Sequence, residues 1–131
     1  MTTFLLDANV VIALTVAEHE HHEPATGWFA PLERFAVCPV VEGALIRFLL
    51  RIGESMETAA AVLAGVRAST RCEFWPDSIS YVDVDTSTIT GHRQVTDSYL
   101  AALARAHSAQ LATFDRALAA RHPESCVLVA S

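Results

Sequence analysis

The sequence predicts an α/β fold, a sandwich built around a mostly parallel sheet, and three observations predict it. Short apolar runs of strand length alternate with longer segments of helical periodicity along the whole chain. The helical segments open on Pro, Ser or Asp, and one closes on Gly. Of the 131 residues 52% are hydrophobic, enough to bury a core, and no Gly-, Pro- or Ser-rich linker or internal repeat divides them. Residues 1–131 therefore read as a single domain.

The elements follow in order. Thr3–Leu6 reads as a buried strand ending at Asp7, and Ala8–Leu14 as a helix. His22–Leu32 carries Trp28, Phe29 and Leu32 at helical spacing, with Pro24 tolerated in its first turn. Phe35–Cys38 is a second strand. Pro39 opens a helix to Arg51 that Gly53 closes, and Ser55, with Thr58 three residues on, caps the next helix to Ala68. Cys72–Trp75 is a strand, and Pro76–Arg93 is mixed, with a short helix near Ile79–Val82. Thr96 or Asp97 caps a helix to His107, Gln110–Phe114 is a strand, Arg116–Arg121 a short helix and Cys126–Val129 the last strand.

Composition narrows the function. A net charge of −6 argues against general nucleic-acid binding through a basic surface, although a carboxylate site that carries metal also counts as acidic. The 3 cysteines form no C-x-x-C pair and are odd in number, so they read as buried free thiols in a reducing cytoplasm. Asp7 interrupts the apolar start and no basic residue precedes it, so no signal peptide is expected. No run reaches the roughly 18 apolar residues of a membrane span. The protein is expected to be cytoplasmic.

Four carboxylates carry the chemistry. Asp7 follows Phe4-Leu5-Leu6 and Asp115 follows Leu111-Ala112-Thr113-Phe114, so both fall at carboxyl ends of strands, where open α/β sheets bind ligands. Asp97 opens a strongly apolar helix. Each of the three also suits a helix N-cap, and the two roles are compatible. Glu42 shares a helical stripe with Leu45, Ile46 and Leu49, opposite Arg47 and Arg51. A carboxylate there needs a metal or a pairing Arg, or else sits at the stripe's edge. Converging carboxylates make an oxygen-rich site that favours Mg²⁺ or Mn²⁺ over zinc and suits phosphodiester hydrolysis.

Four segments then carry a family resemblance: Leu5-Leu6-Asp7-Ala8-Asn9-Val10, Val41-Glu42-Gly43, Gly91 to Leu100 around Thr96-Asp97-Ser98, and Leu111-Ala112-Thr113-Phe114-Asp115-Arg116. In this order and spacing the sequence resembles the PIN-domain family, and within it the VapC-type toxins of toxin–antitoxin pairs. The resemblance implies a three-layer α/β/α sandwich, a Mg²⁺ or Mn²⁺ cofactor and endonucleolytic cleavage of an RNA substrate. It assigns Asp7, Glu42, Asp97 and Asp115 to the metal and its water, with Thr113 or Asn9 orienting them. It also implies a small cognate antitoxin whose tail covers the active site, held partly by apolar surface of His22–Leu32 and Pro39–Leu50, and a homodimer. Relatives often carry a second acidic residue two positions after the last Asp, where this chain has Ala117.

Other signals weigh less. Glu18-His19-Glu20-His21-His22-Glu23 suits neither one helix face nor a structural zinc site, and reads as a solvated helix start. Asp83 and Asp85 read as surface, and Trp28 and Trp75 as core. Gly91-His92-Arg93 offers donors to a phosphate or is an exposed loop. Two other functions remain open: a metal-dependent DNA nuclease or phosphohydrolase, and a module that binds RNA or antitoxin without cutting.

Overall fold

The computed structural model describes residues 2–129. Five strands, β1 (Thr3–Leu6), β2 (Arg34–Val37), β3 (Cys72–Phe74), β4 (Gln110–Thr113) and β5 (Cys126–Leu128), form one sheet in the order β3-β2-β1-β4-β5. Every pairing is parallel, so the expected "mostly parallel" sheet is wholly so. Six helices connect them: α1 (Ala8–Thr15), α2 (His22–Phe29), α3 (Pro39–Arg51), α4 (Met56–Ala68), α5 (Val95–Ala106) and α6 (Arg116–Arg121).

The order explains the layers. From β1 the chain steps outward to β2 and β3, then returns past β1 to β4 and β5. Right-handed crossovers therefore place α1 to α4 on one face and α5 and α6 on the other. Contacts of α1 with α2 and α3, and of α3 with α4, follow that division. Covered on both faces, the strands read as continuous apolar runs rather than alternating ones. Leu5, Ala36, Leu111 and Ala112 are fully buried. Burying a leucine contributes about 1.5–3 kcal/mol, and Leu111→Ala would cost about 2–5 kcal/mol with its cavity.

Local chemistry sets most of the boundaries. Pro39 occupies the first turn of α3, and Gly53 takes φ +97° just beyond its end, where an L side chain is strained. Ser55 Oγ accepts from the Thr58 backbone N–H at 3.0 Å and so caps α4.

Several expected ends shift. The helix expected over His22–Leu32 stops at Phe29, and β2 runs one residue earlier than expected. The short helix near Ile79–Val82 is a single 3₁₀ turn at Tyr81–Asp83. Thr96 and Asp97 do not cap α5. A 3₁₀ turn over His92–Gln94 runs straight into it, so Gln94 takes the cap position and Asp97 is the third helical residue. The Gln94 side chain is turned outward, where its Oε1 accepts from the Thr90 backbone N–H at 2.6 Å. Cys38 and Cys126 are buried free thiols, whereas Cys72 is half-buried.

Candidate active site

Strand order reverses at β1, between β2 on one side and β4 on the other. In open α/β sheets the crevice beyond the carboxyl ends at such a point receives ligands. Asp7 leaves β1 there and Asp115 leaves β4 there. The Asp7 N–H still donates to the Ala112 carbonyl at 2.9 Å, which ties the start of the crevice to the last rung of the ladder.

Asp7 is 7% exposed and accepts two hydrogen bonds. Its Oδ1 takes the Ala8 N–H at 2.8 Å and its Oδ2 the Thr113 hydroxyl at 2.7 Å. Thr113 Oγ1 in turn accepts from Asn9 Nδ2 at 3.3 Å and from the Asp115 N–H at 3.0 Å. One donated and two accepted bonds use the full capacity of a hydroxyl. Asn9 Oδ1 accepts from the Phe114 N–H at 3.2 Å. The buried Thr113 thus fixes Asp7 and the backbone of Asp115 relative to one another. Burial nonetheless pushes the Asp7 carboxyl up to about 6, with the charges of Asp97 and Asp115 adding to the rise.

Asp97 comes from the first turn of α5. Burial and the Asp115 charge raise its carboxyl, against the pull of Arg121 and His122. Arg121 lies at the end of α6, with Nη2 3.7 Å from Asp97 Oδ2. Asp115 caps α6 through Oδ1, which accepts from the Leu118 N–H at 3.0 Å. The three carboxylates from β1, α5 and β4 therefore share one field. Burial and the charges of Asp7 and Asp97 also push the Cys126 thiol up to about 12, so it is an apolar neighbour rather than a nucleophile.

Glu42 stands apart from them. Its Oε2 accepts from Arg67 Nη1 at 3.2 Å, across from α3 to α4, and the Arg67 guanidinium also lies over the Phe74 ring at 4.3 Å. Of the alternatives for Glu42, the Arg pairing is the contact seen.

The histidines serve the fold. His22 Nδ1 lies 2.8 Å from the Ala13 carbonyl oxygen, His19 Nδ1 accepts from the His21 N–H at 3.1 Å, and His21 stacks on Phe114 at 4.8 Å. Trp75 is buried and stacks on His107, and Trp28 meets Phe4 edge-on. Asp83, Asp85 and Gly91-His92-Arg93 are exposed.

The donors suit a hard divalent cation. They are oxygen only, and burial, helped by the charges of neighbouring carboxylates, raises Asp7 and Asp97, a cost that a bound cation would offset. Among the described residues no three His, Cys, Asp or Glu side chains converge on one point, so an ion at Asp7, Asp97 and Asp115 would keep much of its water, as Mg²⁺ commonly does. Sequence reasoning missed the two guanidiniums, Arg121 and Arg67. Each is distant in sequence from its carboxylate, and no local spacing signals the pairing.

The comparisons with known proteins agree with this frame. The PIN domain family model matches residues 4–122. Ribonuclease VapC29 of Mycobacterium tuberculosis is 51% identical over 128 residues, covering 97% of this chain and 96% of the relative. Among solved structures, M. tuberculosis VapC20, described as a sarcin–ricin-loop-cleaving toxin, superposes with a TM-score of 0.71 at 18% identity, over 89% of this chain and 93% of that one. VapBC2 from Rickettsia felis, bound to a DNA fragment from its promoter, gives a TM-score of 0.67 at 18% identity over 97% of each chain. With a family model across nearly its whole length, and a crevice carboxylate leaving each of the two strands at the switch point, the chain belongs to the PIN-domain family, in its VapC branch.

Proposed function

We propose that this protein is an endoribonuclease that hydrolyses RNA phosphodiester bonds with Mg²⁺ or Mn²⁺ as cofactor, and that it acts in the cytoplasm as the toxin of a toxin–antitoxin pair. The observation that carries this reading is that Asp7 and Asp115 leave the two strands at the topological switch point, with Asp97 of α5 near enough for its charge to raise the Asp7 carboxyl. The 51% identity to a ribonuclease supports it. A divalent ion held by these carboxylates supplies Lewis acidity to the phosphodiester and lowers the pKa of water beside it. The chain's own work is orientation. Thr113, itself held by Asn9, fixes Asp7, and the α6 cap holds Asp115. Glu42 is the proposed fourth carboxylate, and in this structure it is paired with Arg67.

Partner binding rests on apolar surface. A groove of about 330 Å³, lined by Leu14, Phe29, Val62 and Val66 among others, suits the tail of a small antitoxin, and it draws on α1, α2 and α4 rather than α3. Leu50, Ile52 and Met56, exposed around the α3–α4 turn, suit a homodimer contact. Incubating the pure protein with total RNA and Mg²⁺, then mapping new ends, tests the activity. Discrete new ends support it. Cleavage of DNA alone, or binding without cleavage, contradicts it.

A further inference from the structure

The connection from β3 to α5 leaves the carboxyl edge of the sheet and returns to it, because α5 must descend to the amino edge where β4 begins. Its last turn, His92–Gln94, therefore stands at the edge where Asp7 and Asp115 emerge, and Arg93 precedes Asp97 by four residues. Gln94 Oε1 pins that turn by accepting from both the N–H and the hydroxyl of Thr90, at 2.6 and 2.9 Å. His92 and Arg93 are exposed, and neither enters an ion pair among the described residues. Arg34, Arg67 and Arg121, by contrast, each face a carboxylate. Tyr81 lies against the start of the same helix. Its hydroxyl donates to the Val95 carbonyl at 3.4 Å, and its ring meets that of Tyr99 at 5.1 Å and a tilt of 37°. Tyr99 is buried and donates to Asp77 at 3.1 Å, so the Tyr81 ring is backed by a fixed partner. Tyr81 still shows 45% of its surface to solvent, beside Val82 at 90% and the exposed Val95.

An unpaired guanidinium, an imidazole and an exposed but anchored aromatic ring at one end of one helix fit a single strand of RNA. A polyanion that approaches a carboxylate crevice, on a chain of net charge −6, needs positive charge to meet its backbone near the cut. Unpaired bases are held in general by stacking on aromatic side chains. The apolar part of the patch is only three side chains, well short of the roughly 800 Å² per partner that a stable protein contact buries. We propose that Tyr81, His92 and Arg93 form a nucleotide subsite at the amino end of α5, with a backbone phosphate on the Arg93 guanidinium and the His92 ring, and the adjoining base stacked on Tyr81. A strand held there is aligned along the edge that carries Asp97, Asp7 and Asp115, so the three act as positioning residues. The inference rests on the ribonuclease reading of the crevice and names the residues that receive its substrate.

The test is fluorescence anisotropy with a fluorescein-labelled, unstructured single-stranded RNA, in the Asp97→Asn background so that the probe stays whole. Tyr81→Ala and Tyr81→Leu should weaken binding about tenfold or more, whereas Tyr81→Phe and Tyr81→Trp should hold it within about threefold. Leu keeps apolar bulk without a ring, which separates stacking from packing. Arg93→Gln should weaken binding and lower the slope of log affinity against log salt by about 0.7. Arg105→Gln, at the far end of α5, should change neither. In the cleaving protein Tyr81→Ala should raise KM more than it lowers kcat. Parent-like binding by a folded Tyr81→Leu, an unchanged salt slope in Arg93→Gln, or no binding of the probe by the parent would each overturn the subsite. So would variants that keep RNA binding yet lose a copurifying small protein, which would make the patch a protein contact. Binding that depends on Tyr81 and Arg93, in a chain whose wild type cuts no RNA, would overturn the ribonuclease reading alone.

Discussion

The Thr113 hydroxyl donates to Asp7 Oδ2 at 2.7 Å across two neighbouring parallel strands, and the same oxygen accepts from the Asp115 backbone. A single β-branched side chain thus ties the Asp7 carboxylate to the backbone of Asp115. Thr113→Val keeps shape and volume but leaves Asp7 Oδ2 and the Asp115 N–H without that partner in a buried place. It should cost about 1–3 kcal/mol in chemical denaturation and lower cleavage, whereas Thr113→Ser should retain most of both. A Val variant as stable and active as wild type would remove Thr113 from the account.

Stability of the metal-free protein should depend on pH through Asp7. Its folded pKa of about 6 lies above the ordinary 3.8, so the native state binds the proton more readily than the unfolded chain. Its contribution is therefore most favourable below about pH 4 and declines as pH rises toward 6, by at most about 3 kcal/mol. Asp97, raised as well, acts in the same sense. Thermal melts in EDTA should show wild type losing more stability than Asp7→Asn between pH 4.5 and 7, and Mg²⁺ should shrink the difference. Parallel pH profiles for the two proteins would contradict the burial argument.

Glu42 and Arg67 form a partly exposed pair, with side chains 17% and 42% accessible, so breaking it should cost under about 1 kcal/mol. If Glu42 is the reserve member of the centre, Glu42→Gln should weaken Mn²⁺ binding and cleavage less than Asp97→Asn does. Arg67→Ala should tighten Mn²⁺ binding by freeing Glu42. Calorimetry on the three variants decides this, and an Arg67→Ala protein with weaker metal binding would sink it.

Expression of the chain alone should slow growth, and co-expression with a small adjacent gene product should restore it. Charge favours an Arg-bearing tail, since a guanidinium can pair with the crevice carboxylates. Growth unaffected by expression, with no small protein copurifying, would remove the toxin role even if RNA is cut.

Much of this was legible in the sequence because it is locally encoded. The apolar runs before Asp7 and Asp115 placed both at strand ends, and Pro39, Gly53 and Ser55 marked the α3–α4 corner. The start of α5 was misread because Asp97 is a favoured cap, while the 3₁₀ turn that begins the helix earlier has no strong local signature. The Glu42 stripe showed that a partner was needed and not which one. Arg67 and Arg121 could not be found by spacing, since only the packing of α4 on α3, and of α6 beside α5, brings them to their carboxylates.

The most direct test of the central claim is the rate of cleavage of an end-labelled RNA carrying a mapped site, measured for wild type and Asp97→Asn with Mg²⁺ and with EDTA. Wild type should cut in Mg²⁺, and both chelation and Asp97→Asn should lower the rate at least about a hundredfold while the variant's circular dichroism stays native. Cleavage by wild type at an unchanged rate in EDTA, or by Asp97→Asn at the wild-type rate in Mg²⁺, would contradict a metal centre built on these carboxylates.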